Sequence, residues 1–303
     1  MIICLPKIES STRIGGGFSF LDNFKAGGHR SRSFATTECI TGGDWNYALI
    51  PAATMCSWEQ FQIMTAMRET NRPPKGKKVF LRVDGIPEDF RNRGTGWSRL
   101  KGFAKNVDGV IYQSEFSRDT VGKLLGRDGP VIYNGVDKTI FTPAGSTFPL
   151  FGDPSILCIN YRDDPNKRVQ EVIERFRYYK IKTPTAKITF VGNYPKGQFL
   201  WDGAHWDFGL LDLVQNEDWQ YMGIISDRNV LAKAMRSCNY IAYPSFADSC
   251  PNALVESFSC GCKPLWLNSY GSSIELLELF NKGFDFSIER MSKEYLDYFL
   301  SVK

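Results

Sequence analysis

The sequence predicts an α/β protein of two doubly wound domains, each a parallel sheet covered by helices, joined by a short linker. Three observations predict it. A chain of 303 residues is large for one hydrophobic core and suits two of about 150 residues each. Short β-rich runs alternate with helical stretches in both halves, the pattern of strand–helix–strand units. Between the halves, TPAGSTFPLFGDP at 142–154 gathers Pro, Gly, Ser and Thr without periodicity and reads as a linker. The expected boundaries are 1–143, a linker at 144–153, and 154–303, with the last helix a candidate to pack back on the first domain.

In the first half, IICLP reads as a strand, GGG at 15–17 as a loop, and FSFLDNFKAGG as a helix stopped by Gly27-Gly28. YALIPAA is a second strand. WEQFQIMTAMRETN is a helix with Phe61, Ile63, Met64 and Met67 near one face. KKVFLRVDG is a strand ending at Asp84-Gly85, and GWSRLKGFAKNV spaces Trp97, Leu100, Ala104 and Val107 as a helix does. DGVIYQS follows as a strand, EFSRDTVGKLLG as a helix ending at Gly126, and PVIYNGVD as the last strand of this half.

The second half repeats the alternation. SILCINY, KITFVGN, WQYMG, NYIAYPS and KPLWLN read as strands. RVQEVIERFRYYK, DRNVLAKAMRSC, NALVESFSCG, SSIELLELFNKG and SKEYLDYFLSV read as helices. In open α/β sheets ligands bind outside the carboxyl ends of the strands, so two such domains are expected to form a ligand cleft between those ends.

Composition narrows the class. The chain is 43% hydrophobic and 23% charged, which is ordinary for a globular protein and excludes disordered or collagenous chains. The N-terminal apolar run is broken by Lys7 and Glu9, so neither a signal peptide nor a spanning helix is expected. The eight cysteines contain no CxxC pair, and His29 and His205 are too few to complete a zinc site. Free thiols in a reducing cytoplasm and no structural metal are the expectation. Positive charge gathers in the first half: residues 72–105 carry ten basic against three acidic side chains, which suits an anionic partner.

Three stretches carry chemistry. In NYRDDPNKRVQEVI, Arg162 and Lys167 flank a proline loop just before a helix, where unpaired N–H groups and the macrodipole already favour an anion. A diphosphate fits there; so does a solvated loop paired to Asp163 or Asp164. In TFVGNYPKG, Gly192 ends a strand and permits close backbone approach to a ligand or a plain turn. In YPSFADSCPNALVESFSCG, Asp248 precedes a helix that starts near Pro251, and Glu256 lies in its first turns. A carboxylate accepts two hydroxyl hydrogen bonds at once, as a ribose diol requires. Capping by Asp248 and a solvent-facing Glu256 are the plainer alternatives.

The order and separations of these stretches resemble the retaining family 4 glycosyltransferases of the GT-B fold, also called glycosyl transferases group 1. That family's second domain shows an Arg-x4-Lys loop, a strand ending in a glycine turn, and a Glu-x7-Glu segment running into a small-residue helix end. The chain offers Arg162-x4-Lys167, FVGNYP, and Asp248-x7-Glu256 with SFSCGCKP. VIYNGVDKTIFTP and DGVIYQSEFSRD also resemble family segments. The resemblance covers about residues 108–275 well and the first hundred loosely. It implies two Rossmann-like domains facing each other across a cleft.

It also implies roles. Arg162 and Lys167 would neutralise the departing diphosphate, and Glu256 would hold the ribose. Asp248, with the backbone of Ser249, Cys250, Pro251 and Asn252, would hold the donor sugar, beside Gly192. Gly16 and Gly17 would close over the phosphates. Two departures stand out. Asp248 replaces the usual Glu and is one methylene shorter. The family often places a histidine after a first-domain strand, and neither His29 nor His205 matches it. Asp84 or Arg82 of LRVDG takes that place by position.

Breaking a sugar–phosphate bond develops negative charge on the diphosphate. A fixed donor or cation aimed there is typically worth ~3 kcal/mol, or ~100-fold in rate. No Asp-x-Asp occurs in the chain, so protein cations rather than a metal are expected at the phosphates, with no cofactor. The resemblance implies retention of configuration, the leaving phosphate helping to deprotonate the acceptor.

Arg82, Arg91, Arg93 and Trp97 are the acceptor-side candidates. The basic stretch 91–105 reads as the wet side of an amphipathic helix, as a contact for a lipid-linked acceptor at an anionic membrane surface, or as a contact for a polyanion such as modified DNA. The expected location is cytoplasmic, with peripheral membrane contact under the second of these. Alternative functions on the same scaffold are a nucleotide-sugar epimerase or phosphorylase, which generally need more acid/base groups than two histidines supply, and a non-catalytic polyanion-binding protein.

Overall fold

Apolar strands of the first half pair into one all-parallel sheet. The computed structural model describes residues 1–8, 15–70, 73–85, 96–160, 165–192, 198–201, 204–207 and 218–302; for residues 160, 165, 198–201 and 204–207 it describes the backbone alone. The described residues divide into two units. Unit 1 holds Met1–Val136, Asp248–Asn252 and Asn281–Lys303; unit 2 holds Asp137–Ala247 and Ala253–Phe280.

In unit 1 the strands are β1 (Ile2–Cys4), β2 (Ala35–Thr37), β3 (Tyr47–Ile50), β4 (Lys78–Val83) and β5 (Gly109–Tyr112), in the order β2-β1-β3-β4-β5. Side chains such as Leu49, Ile50, Phe80, Leu81, Val110 and Ile111 are fully buried, as strands covered on both faces require. The helices are α1 (Gly16–Arg30), α2 (Trp58–Arg68), α3 (Gly96–Asn106), and the short α4 (Glu115–Ser117) and α5 (Lys123–Leu125) joined by a π-helical stretch, Arg118–Gly122. Ser57 and Gln60 close a capping box at the start of α2, each side chain bonding the other's backbone N–H.

Unit 2 repeats the design with β6 (Ser155–Asn160), β7 (Lys187–Gly192), β10 (Trp219–Tyr221), β11 (Tyr240–Ala242) and β12 (Lys263–Leu265), all parallel in the order β10-β7-β6-β11-β12. An antiparallel hairpin, β8 (Gln198–Trp201) with β9 (Ala204–Asp207), stands apart from that sheet. Helices α6 (Val169–Lys182), α7 (Arg228–Arg236), α8 (Asn252–Ser259) and α9 (Ser273–Asn281) follow the sheet strands. Val172, Ile173 and Phe176 of α6 pack on Ile156, Ile188 and Phe190.

The chain ends with α10 (Ile288–Ser301), capped by Ser287, whose Tyr295 and Phe299 join Phe20, Phe24 and Phe80 in the core of unit 1. The segment expected as a linker lies on unit 2: Phe148 N–H donates to Ser237 Oγ at 2.7 Å, and Arg236 donates to the Ser146 carbonyl at 3.0 Å.

Three local expectations are corrected. Gly27 and Gly28 do not stop α1, which runs on to Arg30. They instead permit contact, because a Cβ on Gly28 would stand 2.3 Å from the Phe34 ring. Gly16 and Gly17 form the first turn of α1 rather than a loop; Gly15 before them takes φ 120°, which only glycine adopts readily. Residues 130–137 form no strand: Val131 and Val136 make isolated parallel bridges, to Tyr112 and to Ser287. Strands β2, β8 and β9 had no clear pattern in the sequence and were not expected.

Candidate active site

Connectivity picks out the crevice in unit 2. From β6 the chain adds β7 and then β10 on one side, and returns to add β11 and β12 on the other. The carboxyl ends of β6 and β11 therefore flank the switch point, where open α/β sheets take ligands.

After β6 comes the 3₁₀ turn Pro165–Lys167. Lys167 directs its Nζ to the Tyr243 hydroxyl, 3.1 Å away, just beyond β11. Phe246 N–H donates to the Asn166 carbonyl at 2.6 Å, tying the two strand ends together. Arg168 stands with φ 50° before α6 and lays its guanidinium 4.7 Å from the Phe246 ring centre; Phe246 in turn stacks on Tyr270 at 4.6 Å. Arg162, the expected partner of Lys167, lies outside the described residues. Gly192 ends β7 with φ 141°, donating to the Gly223 carbonyl at 2.9 Å.

Glu256 lies one turn into α8 and is 3% exposed. Its Oε1 accepts from Arg228 Nη2 at 2.8 Å. Burial pushes the Glu256 carboxyl above its ordinary range, while the charge and hydrogen bond of Arg228 pull it back down. Arg228 is the first residue of α7 and stands 4.8 Å from the centre of the Phe141 ring. Sequence reasoning missed it, although a cation in the first turn of a helix opposes the macrodipole and so signals a further negative partner.

Unit 1 holds a second polar cluster. Arg82 donates to the Pro51 carbonyl at 2.9 Å, to Gln113 Oε1 at 2.5 Å and to Asn134 Oδ1 at 3.1 Å, with its guanidinium 3.9 Å from the Phe20 ring centre. Asn134 Nδ2 reaches the Cys250 carbonyl at 2.9 Å and Asn252 Oδ1 at 2.8 Å, and Asn252 Nδ2 donates to the Gly16 carbonyl at 3.0 Å. The residues before α8 are thereby tied to the start of α1. Gln113 and Asn134 were not foreseen; the only signal is an amide directly after an apolar run.

This cluster corrects the expectation for Arg82. At 2% exposure its side chain offers no surface to an acceptor. Asp84 follows the end of β4 and is half-buried, as is Asp248, which follows Ala247 at φ 57°. Ser249, Cys250 and Pro251 are buried, and Ser249 Oγ has no hydrogen-bond partner among the described residues. Trp97 opens α3 with Lys101 Nζ 5.3 Å from its ring centre, while Arg91 and Arg93 lie outside the described residues. Among the described residues no group of three His, Cys, Asp or Glu side chains is arranged to hold a metal, and no helix is long and apolar enough to cross a membrane.

No protein-family model and no curated protein sequence matches the chain. Solved structures do. TarM of S. aureus, in complex with fondaparinux, alpha-GlcNAc-glycerol and UDP, aligns over 84% of this chain and 55% of its own at 14% identity and a TM-score of 0.56. The chain thus spans about half the length of TarM. Sucrose-phosphate synthase of Thermosynechococcus elongatus aligns over 98% of this chain and 94% of its own, at 12% identity and a TM-score of 0.65. The pneumococcal O-GlcNAc transferase GtfA, in complex with UDP and GlcNAc, aligns over 84% and 56%, at 10% identity and a TM-score of 0.57. The chain has the fold of these glycosyltransferases, GT-B, with two five-stranded parallel sheets.

Proposed function

We propose that the chain is a glycosyltransferase that moves a sugar from a nucleoside-diphosphate sugar to an acceptor hydroxyl, with retention of configuration and without a metal. One observation carries the reading: the switch point of unit 2 brings Lys167 and Tyr243 together at 3.1 Å, in the sheet whose next helix, α8, carries the buried carboxylate Glu256. A fixed cation at the end of one central strand and a desolvated acceptor after the other are what a diphosphate and a ribose diol need.

In this reading Lys167, with Arg162, takes up the charge that grows on the departing diphosphate, and Glu256 accepts the ribose hydroxyls. Asp248 and the backbone of residues 249–252 grip the donor sugar. The N–H groups of Gly16 and Gly17, in the first turn of α1, favour an anion at that helix end. Asp84, at the carboxyl end of β4, is assigned to the sugar, and Arg91, Arg93 and Trp97 serve a glycan, lipid-linked or polyanionic acceptor. Membrane contact through the basic stretch 91–105 belongs to the same proposal, as does a cytoplasmic location. UDP-sugars are the first donors to test, because the TarM and GtfA structures contain UDP.

A thermal-shift screen over nucleotide sugars tests the reading, since a ligand at 100 times its Kd adds about 2.7 kcal/mol of stability. One or two donors are expected to raise the melting temperature, and Glu256→Ala and Lys167→Ala to abolish the rise. Variants that keep the full shift would overturn the site. Turnover that vanishes on adding a chelator and returns with magnesium would overturn the metal-free diphosphate.

A further inference from the structure

We propose that Arg228 is a positioning residue for donor recognition, orienting the Glu256 carboxylate so that it receives the diol of a nucleoside diphosphate. The inference rests on reading Glu256 as the ribose acceptor and adds a residue to that site.

The geometry is specific. Arg228 Nη2 stands 2.8 Å from Glu256 Oε1, with the Arg228 side chain 23% exposed and that of Glu256 4%. Phe141, 1% exposed, backs the guanidinium at 4.8 Å. Among the described residues no hydrogen bond reaches Glu256 Oε2, which leaves that oxygen for a ligand hydroxyl. Helix α7 gives Arg228 no reason of its own to be there. The first turn of a helix disfavours a cation, and the capping carboxylate Asp227 is turned to Asn229 N–H at 2.8 Å and Val230 N–H at 3.4 Å.

Charge explains the need. Burial favours the protonated form of Glu256, and a protonated carboxyl has lost acceptor capacity on the oxygen that carries the hydrogen. Of the groups that face it, Cys260 lies just past the end of α8 and is pushed up to about 11, so it stays neutral near pH 7. Arg236, from α7, lies by Cys260 and donates to the carbonyls of Ile140, Thr142 and Ser146. Arg228 is the cation that both pairs with Glu256 and lowers its pKa.

The test is calorimetric titration of the full chain with UDP, GDP, ADP, CDP and dTDP, near pH 6 and near pH 8. Wild type is expected to bind one of them, with a smaller change between the two pH values than Arg228→Met shows. Arg228→Met should bind it about tenfold more weakly near pH 6 and less weakly near pH 8, because losing the cation leaves burial to push the Glu256 carboxyl further up. Arg228→Lys should stay close to wild type at both, and Glu256→Gln should weaken binding about tenfold at both.

An arginine that only supports the fold would move affinity without moving the pH profile. Equal weakening of Arg228→Met at the two pH values, or none, therefore overturns the proposal while Glu256→Gln still upholds the ribose reading. Wild-type affinity in Glu256→Gln, or no binding of any of the five by wild type, overturns the ribose reading itself. Where Arg228→Met does not fold, Arg228→Gln against Arg228→Lys carries the same comparison.

Discussion

A Cβ on Gly27 of α1 would stand 2.2 Å from Ser292 Oγ and 2.3 Å from the Ile288 carbonyl oxygen of α10. The two helices meet backbone to backbone because Gly27 has no side chain. Alanine there gains about 1 kcal/mol of helix propensity and meets an overpacked contact that typically costs ~1–3 kcal/mol. Gly27→Ala is expected to lower stability, measured by denaturant unfolding. Adding Ser292→Gly should not restore it, because the Ile288 carbonyl belongs to the backbone.

Glu256 makes stability depend on pH in a stated direction. Its folded-state pKa is raised, so its contribution is fully present below the unfolded value and is lost as pH rises through the folded value. Glu256→Gln is expected to flatten that part of the profile, and Arg228→Met to deepen the loss. Melting temperatures measured over a series of pH values upward from the ordinary carboxylate range check both.

Arg82 holds unit 1 together from within. Its removal leaves Gln113, Asn134 and the Pro51 carbonyl short of a donor in a dry interior. Arg82→Met is expected to destabilise the chain by about 3 kcal/mol, within the range for breaking buried polar partners. Urea unfolding measures it, and a loss under about 0.5 kcal/mol, the size of a surface substitution, would contradict the account.

Thiol chemistry should be confined to one residue. Cys39 is exposed and the other seven cysteines are buried. Burial pushes Cys4 and Cys56 up to about 12, and Cys238 and Cys260 to about 11. A thiolate reagent added to the native chain near pH 7.5 is expected to label Cys39 alone, and Cys39→Ser to abolish labelling. Mass spectrometry of the intact protein counts the adducts, and denaturation should release all eight thiols.

The placement of several candidate residues was legible as spacing. Lys167 after β6, Gly192 at the end of β7 and Glu256 in the first turns of α8 stand at the strand and helix ends their sequence positions imply. Residues that act through partners were not legible. Arg228 lies 28 positions from Glu256, and Asn134 lies 118 from Asn252, distances over which a sequence carries no register. Arg82 was read as reaching outward from a strand end, and its burial follows from Phe20, Gln113 and Asn134 arriving from three separate elements.

By itself the sequence determined the two parallel sheets, because alternating apolar runs and amphipathic helices are local patterns that leave few ways to bury their faces. It also set which residue types stand at the carboxyl ends of the strands. Tertiary structure alone decided that Gly27 and Gly28 extend a helix, that Arg82 is buried, and which cation neutralises Glu256. The physical reason is common to all three. Close backbone approach and buried charge pairing depend on what else occupies the space, and that is fixed only when distant segments pack.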